Sequence, residues 1–179
     1  AWAVLQPAAS SPGAARKPGS DRPNAPAASR LVAPRRTPSR SVSAQKQGVL
    51  PISQQSLFVL SSLGYHAYEG VALNHEEKAR LQADLGQNNF LVLHNHGLLT
   101  CGSSIADTFL MMFIFQRACD IQVLAQNGGA ELIAIEPQIL AGAKAMIAGV
   151  TKSAQGMGGA LAWPALLRKL DQFDPGYKL

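Results

Sequence analysis

The stretch Asn89-Phe-Leu-Val-Leu-His-Asn-His-Gly-Leu-Leu-Thr-Cys-Gly102 decides how the rest of the chain is read. Phe90 to His94 is a near-continuous apolar run of strand length, which suits a central strand buried on both faces. Asn95-His96-Gly97 turns the chain, and Leu98 to Cys101 predicts a second strand. His94 and His96 stand two apart. On a strand, residues i and i+2 share a face, so this spacing is fit for a shared metal. Downstream, Ser104 and Asp107 offer caps to a long helix from Ile105 to about Gln126. Its apolar positions Phe109, Met112, Phe113, Cys119 and Val123 are expected along one broad face, and Gly128-Gly129 ends it.

Upstream, Pro51 to Gly64 predicts a short helix, with Ser53 as N-cap and Leu57, Leu60 and Leu63 at helical spacing. Gly64 is expected as its left-handed stop. Tyr65-His-Ala-Tyr-Glu69 predicts a short strand. Asn74-His-Glu-Glu77 has capping-box spacing, so a helix is expected to follow to Leu85 and close at Gly86. Beyond the long helix, Pro137 opens a helix to Val150, Gly156 to Gly159 reads as a loop, and Trp163-Pro164 opens a last helix through Leu170. Strands alternating with helices predict an α/β layered domain.

The first 45 residues break this pattern. Residues 1–47 hold 7 of the 11 prolines, and eight basic side chains against the single acid Asp21; the remainder of the chain is net acidic, eight basic residues against ten. The pI near 9.5 therefore belongs to the tail and does not mark a basic nucleic-acid-binding surface on the folded part. An Ala/Pro/Arg/Ser-rich segment without period 2 or 3.6 is expected to be disordered, with packed order beginning near Gly48 and one partial domain over residues 46–179. The chain has no run of 18 apolar residues, so no membrane-spanning helix is expected, and no secretory leader pattern is recognised. Cys101 and Cys119 form no metal-type spacing and read as reduced thiols of a cytoplasmic protein.

The block around Asn95-His96-Gly97-Leu98, with Ala106-Asp-Thr-Phe109 and Arg117-Ala-Cys-Asp-Ile-Gln122, resembles the class II aldolase/adducin family. Ser43 to Ser56, Tyr65 to Ala72, Trp163 to Arg168 and Asp174-Pro175 fit its adducin-like bacterial branch. The resemblance covers roughly residues 41–179. It implies a three-layer α/β/α fold around a mostly antiparallel sheet, with the N-terminal part missing here or disordered. It also implies a divalent metal, usually Zn2+, on three histidines: a His-x-His pair at a strand end and the histidine of Asn-His-Gly. An upstream glutamate shuttles protons in active members, which cleave sugar phosphates or related hydroxy-carbonyl compounds and assemble as tetramers. Adducin heads keep the fold without the catalysis, which implies an actin-binding or cytoskeletal role as the alternative.

Carried over residue by residue, His96 matches the third metal ligand. His94 stands where the family usually has Arg or Gln beside the site, so it reads as a cleft residue or a second-choice ligand. The His-x-His pair is expected about 50 residues before His96, where this chain has Arg35-Arg36-Thr37-Pro38-Ser39-Arg40. No histidine precedes His66, and residues 1–34 contain no glutamate. His66 and His75 read as surface or turn histidines, and Tyr65 and Tyr68 as packing aromatics near the cleft. The switch in composition near residue 41 is abrupt. Arg36-Thr-Pro-Ser-Arg40 can be written in codons that, shifted, spell His-Thr-Val-Ala-Gly, so residues 1–40 are expected to be a frameshifted or mis-assembled start. The expected function is thus a family protein whose metal-dependent aldol cleavage is lost, with unknown catalytic residues.

Overall fold

The computed structural model describes residues 38–70, 76–153 and 158–178. Among the described residues, three strands form one sheet in the order β1 (Leu63–His66), β2 (Phe90–Leu93), β3 (Gly97–Thr100). β1 pairs parallel with β2, Leu63 opposite Phe90, and β2 pairs antiparallel with β3, Phe90 opposite Thr100. The described sheet is therefore mixed, one pair of each kind, where a mostly antiparallel sheet is implied by the resemblance. Helices cover both faces, the α/β/α layering expected. α1 (Pro38–Ser43), α2 (Gln54–Leu60) and α4 (Ile105–Asn127) enclose one face and α3 (Glu77–Leu85) lies on the other. α5 (Pro137–Ser153) packs on α2, and α6 (Gly159–Phe173) on α4.

The strand alternation sorts side chains between these layers. Val42, Val49, Val59, Phe90, Val92, Met111, Phe115, Ala118 and Cys119 form the core between the sheet and α1, α2 and α4. Phe90 meets Phe115 edge to face at 5.5 Å, the favoured geometry for two ring quadrupoles. Leu91, fully buried, points to the α3 side with Gly64. A Cβ on Gly64 would lie 2.6 Å from the Asp84 carbonyl, so this glycine lets α3 close onto β1. It belongs to the strand and is not the left-handed helix stop expected; α2 ends instead at Ser61 in helical conformation. At its start, Ser53 and Ser56 exchange side-chain bonds to each other's backbone N–H (3.0 and 3.1 Å), which satisfies two orphan donors.

Several expected boundaries move. Packed structure begins before Gly48: α1 starts at Pro38, and Val42 is fully buried. One apolar side chain and a proline suited to a first helical turn suffice there, and average composition hides them. The strand expected at Tyr65–Glu69 lies two residues earlier. α3 has Glu76 at its N-cap position; the Asn74 and His75 of the expected capping box lie outside the described residues, as do residues 1–37 of the expected disordered segment. α6 starts at Gly159 and carries Pro164 in its interior.

On α4 the buried stripe is Met111, Phe115, Ala118, Cys119 and Gln122. Phe109 and Phe113 are 39% and 51% exposed, against the expectation that they face the core. The helix is apolar nearly all round, so periodicity cannot choose its buried side. By length and composition α4 would also pass as a membrane span, with a mean hydropathy of 1.3. Its stripe is instead the centre of this core.

Candidate functional site

The His94–His96 turn sits where β2 ends. Leu93 pairs with Gly97, so His94, Asn95 and His96 form a three-residue hairpin loop. Asn95 takes φ 56°, the left-handed conformation Asn tolerates best among residues with a side chain, and His96 N–H donates back to the Leu93 carbonyl at 3.0 Å. The two histidines therefore do not lie on a strand, and the shared-face argument fails at Asn95, where the backbone reverses. His96 is exposed at the tip.

His94 is held on three sides. Its backbone N–H donates to the His66 carbonyl at 2.9 Å, which extends the parallel ladder by one bond. Its Nδ1 lies 3.2 Å from the Ser43 carbonyl. A carbonyl only accepts, so Nδ1 is the donor. Its ring stacks on Tyr65 at 5.6 Å. The Ser43 carbonyl also accepts from Asn95 N–H at 3.0 Å, so one backbone atom of α1 pins the whole turn.

A buried amide network fixes that atom in turn. Gln122, 1% exposed, donates from Nε2 to Gln45 Oε1 (2.6 Å) and to the Gly48 carbonyl (2.9 Å), and accepts from Leu50 N–H at 2.8 Å. Gln45 in turn donates to Gln126. Tyr65 Oη accepts from Val49 N–H at 3.3 Å, and burial pushes its phenol above the ordinary value of 10.0. Gly48 has φ 63°, and a Cβ there would meet the Tyr65 hydroxyl at 2.5 Å, so only glycine allows this approach. Sequence reading missed Ser43, Gln45 and Gln122 as supports. Gln122 alone left a signal, a polar residue four positions after Ala118 on the stripe that proved buried.

His66 is a correction. It is 3% exposed rather than a surface or turn histidine, because it ends β1 facing α3. Its Nδ1 lies 2.7 Å from Asp84 Oδ2 and its Nε2 3.6 Å from Glu77 Oε1. His75 lies outside the described residues. Tyr68 is exposed, Cys101 and Cys119 are free thiols, and burial pushes Cys119 up to about 12. Among the described residues, no three His, Cys, Asp or Glu side chains converge as a metal site. The described residues by themselves do not complete the zinc site that the resemblance implies. A separate cleft of about 290 Å³, lined by Phe58, Asn89, Phe90, Met111 and Lys144 among others, opens at the opposite end of β2.

The profile of the class II aldolase and adducin N-terminal domain matches residues 27–123. The chain belongs to the class II aldolase and adducin family. A Pseudomonas aeruginosa protein named for class 2 aldolase is 79% identical over 138 residues, 77% of this chain and 53% of that protein. Rat alpha-adducin is 37% identical over 149 residues, 77% of this chain and 20% of its own. Among solved structures, an aldolase II superfamily protein from Pseudomonas syringae matches with TM-score 0.68 at 37% identity, over 79% of this chain and 56% of that one. L-fuculose 1-phosphate aldolase from Glaciozyma antarctica shares the fold at TM-score 0.58 and 18% identity, over 77% and 51%. The chain spans about half the length of the bacterial relatives it matches. The match from residue 27 reaches further upstream than the break read near residue 41.

Proposed function

We propose that this chain carries the C-terminal part of a class II aldolase-type site, and that the polypeptide as written does not perform the ancestral reaction. That reaction is metal-dependent aldol cleavage of a sugar phosphate or related hydroxy-carbonyl compound. One observation carries the proposal: His96, the third ligand by family resemblance, has His94 as its only histidine neighbour in the turn, and the chain has no histidine before His66. A catalytic zinc needs three protein ligands and an open fourth position. Two imidazoles leave it short of that.

In this reading His96 is an orphaned ligand, presented to solvent with no packing duty. His94 is a positioned cleft residue whose Nδ1 donates to a carbonyl, the way ligating histidines are usually oriented. A zinc titration of the purified chain tests the proposal. It predicts no tight 1:1 site that depends on His96. Tight stoichiometric binding abolished by His96→Ala would overturn it.

A second reading is a non-catalytic, adducin-like interaction domain. The 37% identity to alpha-adducin and the exposed apolar side chains Phe113, Leu124, Leu161 and Phe173 favour it. Such a role fits a cytoplasmic homo-oligomer, a tetramer by family, that touches actin. Co-sedimentation with actin filaments, and a molar mass from light scattering, separate it from a monomeric fragment.

A further inference from the structure

The imidazole of His66 lies on the α3 side of the sheet, away from the Tyr65–His94 stack, and the proposed function makes no use of it. We propose that His66 Nε2 and Glu77 Oε1 form a separate site for a zinc-class divalent cation, with Asp84 as the carboxylate that orients the ring.

Asp84 Oδ2 lies 2.7 Å from Nδ1, a short charge-assisted bond. With the neutral ring's proton on Nδ1, the lone pair is on Nε2. That atom is buried and, among the described residues, has no hydrogen-bond partner. The polar atom it faces is Glu77 Oε1 at 3.6 Å, on a carboxylate whose side chain is only 17% exposed. With the proton on Nδ1, two acceptors face each other across a partly buried gap and repel, and a cation between them relieves that repulsion.

The separation says which species. A hydrogen bond from a ring N–H to a carboxylate spans about 2.7–3.2 Å, and 3.6 Å is too long for one. A cation about 2.1 Å from each atom spans the same gap at an N–metal–O angle of about 120°, near tetrahedral for zinc on imidazole and carboxylate. A carboxylate on the far ring nitrogen is the usual outer partner of a metal-bound histidine. The neighbouring acid Glu69 is already engaged by Arg80, bidentate with Nε at 2.7 Å. The guanidinium holds the Glu69 carboxyl below its ordinary 4.5. Two protein ligands leave the remaining positions to water, so the site is an exchangeable one.

The test is calorimetric titration of the full chain with zinc chloride alone, in a His96→Ala background so that the hairpin turn contributes nothing. The ring nitrogens of His66 are followed in parallel by NMR. The expected result is one zinc per chain, a shifted His66 Nε2 resonance, affinity down at least ~10-fold in Glu77→Gln and ~10–100-fold in Asp84→Asn. Glu77 lies at the edge of α3, so its variant retains the fold, which circular dichroism checks; His66→Gln sits in the sheet and is not relied on. No zinc uptake, with a proton found on Nε2, would overturn the proposal and leave His66 as an imidazolium between two carboxylates. Uptake unchanged by Glu77→Gln would overturn it equally.

Discussion

Replacing Gln122 by Leu is expected to destabilise the domain far more than its side-chain size suggests. The two side chains have similar volume, so cavity terms are small and the effect isolates hydrogen bonding. Three bonds disappear, to Gln45 Oε1, the Gly48 carbonyl and Leu50 N–H. Gln45 is half-buried and can turn to water. The Gly48 carbonyl and Leu50 N–H lie against buried α4 and are left without their partner. A buried polar group left unsatisfied costs about 1–3 kcal/mol, so the two together predict a loss of about 2–6 kcal/mol. With a urea slope of about 1–3 kcal/mol per molar for a small domain, the midpoint falls by about 1 M or more. Gln126→Ala is the control. It removes one bond, Gln45 to Gln126, between partly exposed side chains and is expected to cost under ~1 kcal/mol. The measurement is urea unfolding followed by circular dichroism. Equal midpoints for the two variants would refute the claim that this amide network anchors the segment whose Ser43 carbonyl holds the histidine turn.

Truncating Phe115, fully buried against Phe90, to Ala should cost about 3–5 kcal/mol, read in the same assay. Gly159→Ala should destabilise by about 1–3 kcal/mol, because its Cβ would meet the Ala106 and Asp107 backbone at 2.5 Å, and a lowered melting temperature reports it. Alkaline stability should fall between pH 9 and 12. Burial raises the Cys119 thiol from 9.0 to about 12, so in that window the unfolded chain has lost a proton that the native one keeps. Stability is fully present below pH 9 and drops by up to about 1.4 kcal/mol per pH unit above it; Cys119→Ala should flatten that slope. The coding DNA should show a frame in which a histidine is encoded near codon 36, and its absence would refute the frameshift.

The strands and helices around Phe90–Gly102 were legible because buried runs, turn residues and caps act locally. Gly86 closes α3 and Ser104 caps α4, as their types dictate. What escaped the sequence depends on tertiary contact. α4 is apolar on nearly every side, so only packing against α1 and α2 decides that Phe115 turns inward and Phe113 outward. Gly64 looked like a helix stop, yet its missing Cβ serves the approach of α3. His66 looked isolated, because Asp84 and Glu77 reach it only once α3 folds back on β1. At the turn, His94 and His96 are two residues apart, but the shared face of a strand does not extend across Asn95, where the chain reverses.

The central claim is that too few imidazoles gather around His96 for aldol chemistry. It is tested most directly by incubating the purified, zinc-supplemented chain with ketose phosphates and measuring release of the triose or aldehyde product. The account predicts a rate indistinguishable from buffer with zinc, and unchanged by His96→Ala. Zinc-dependent cleavage that disappears in His96→Ala would contradict it.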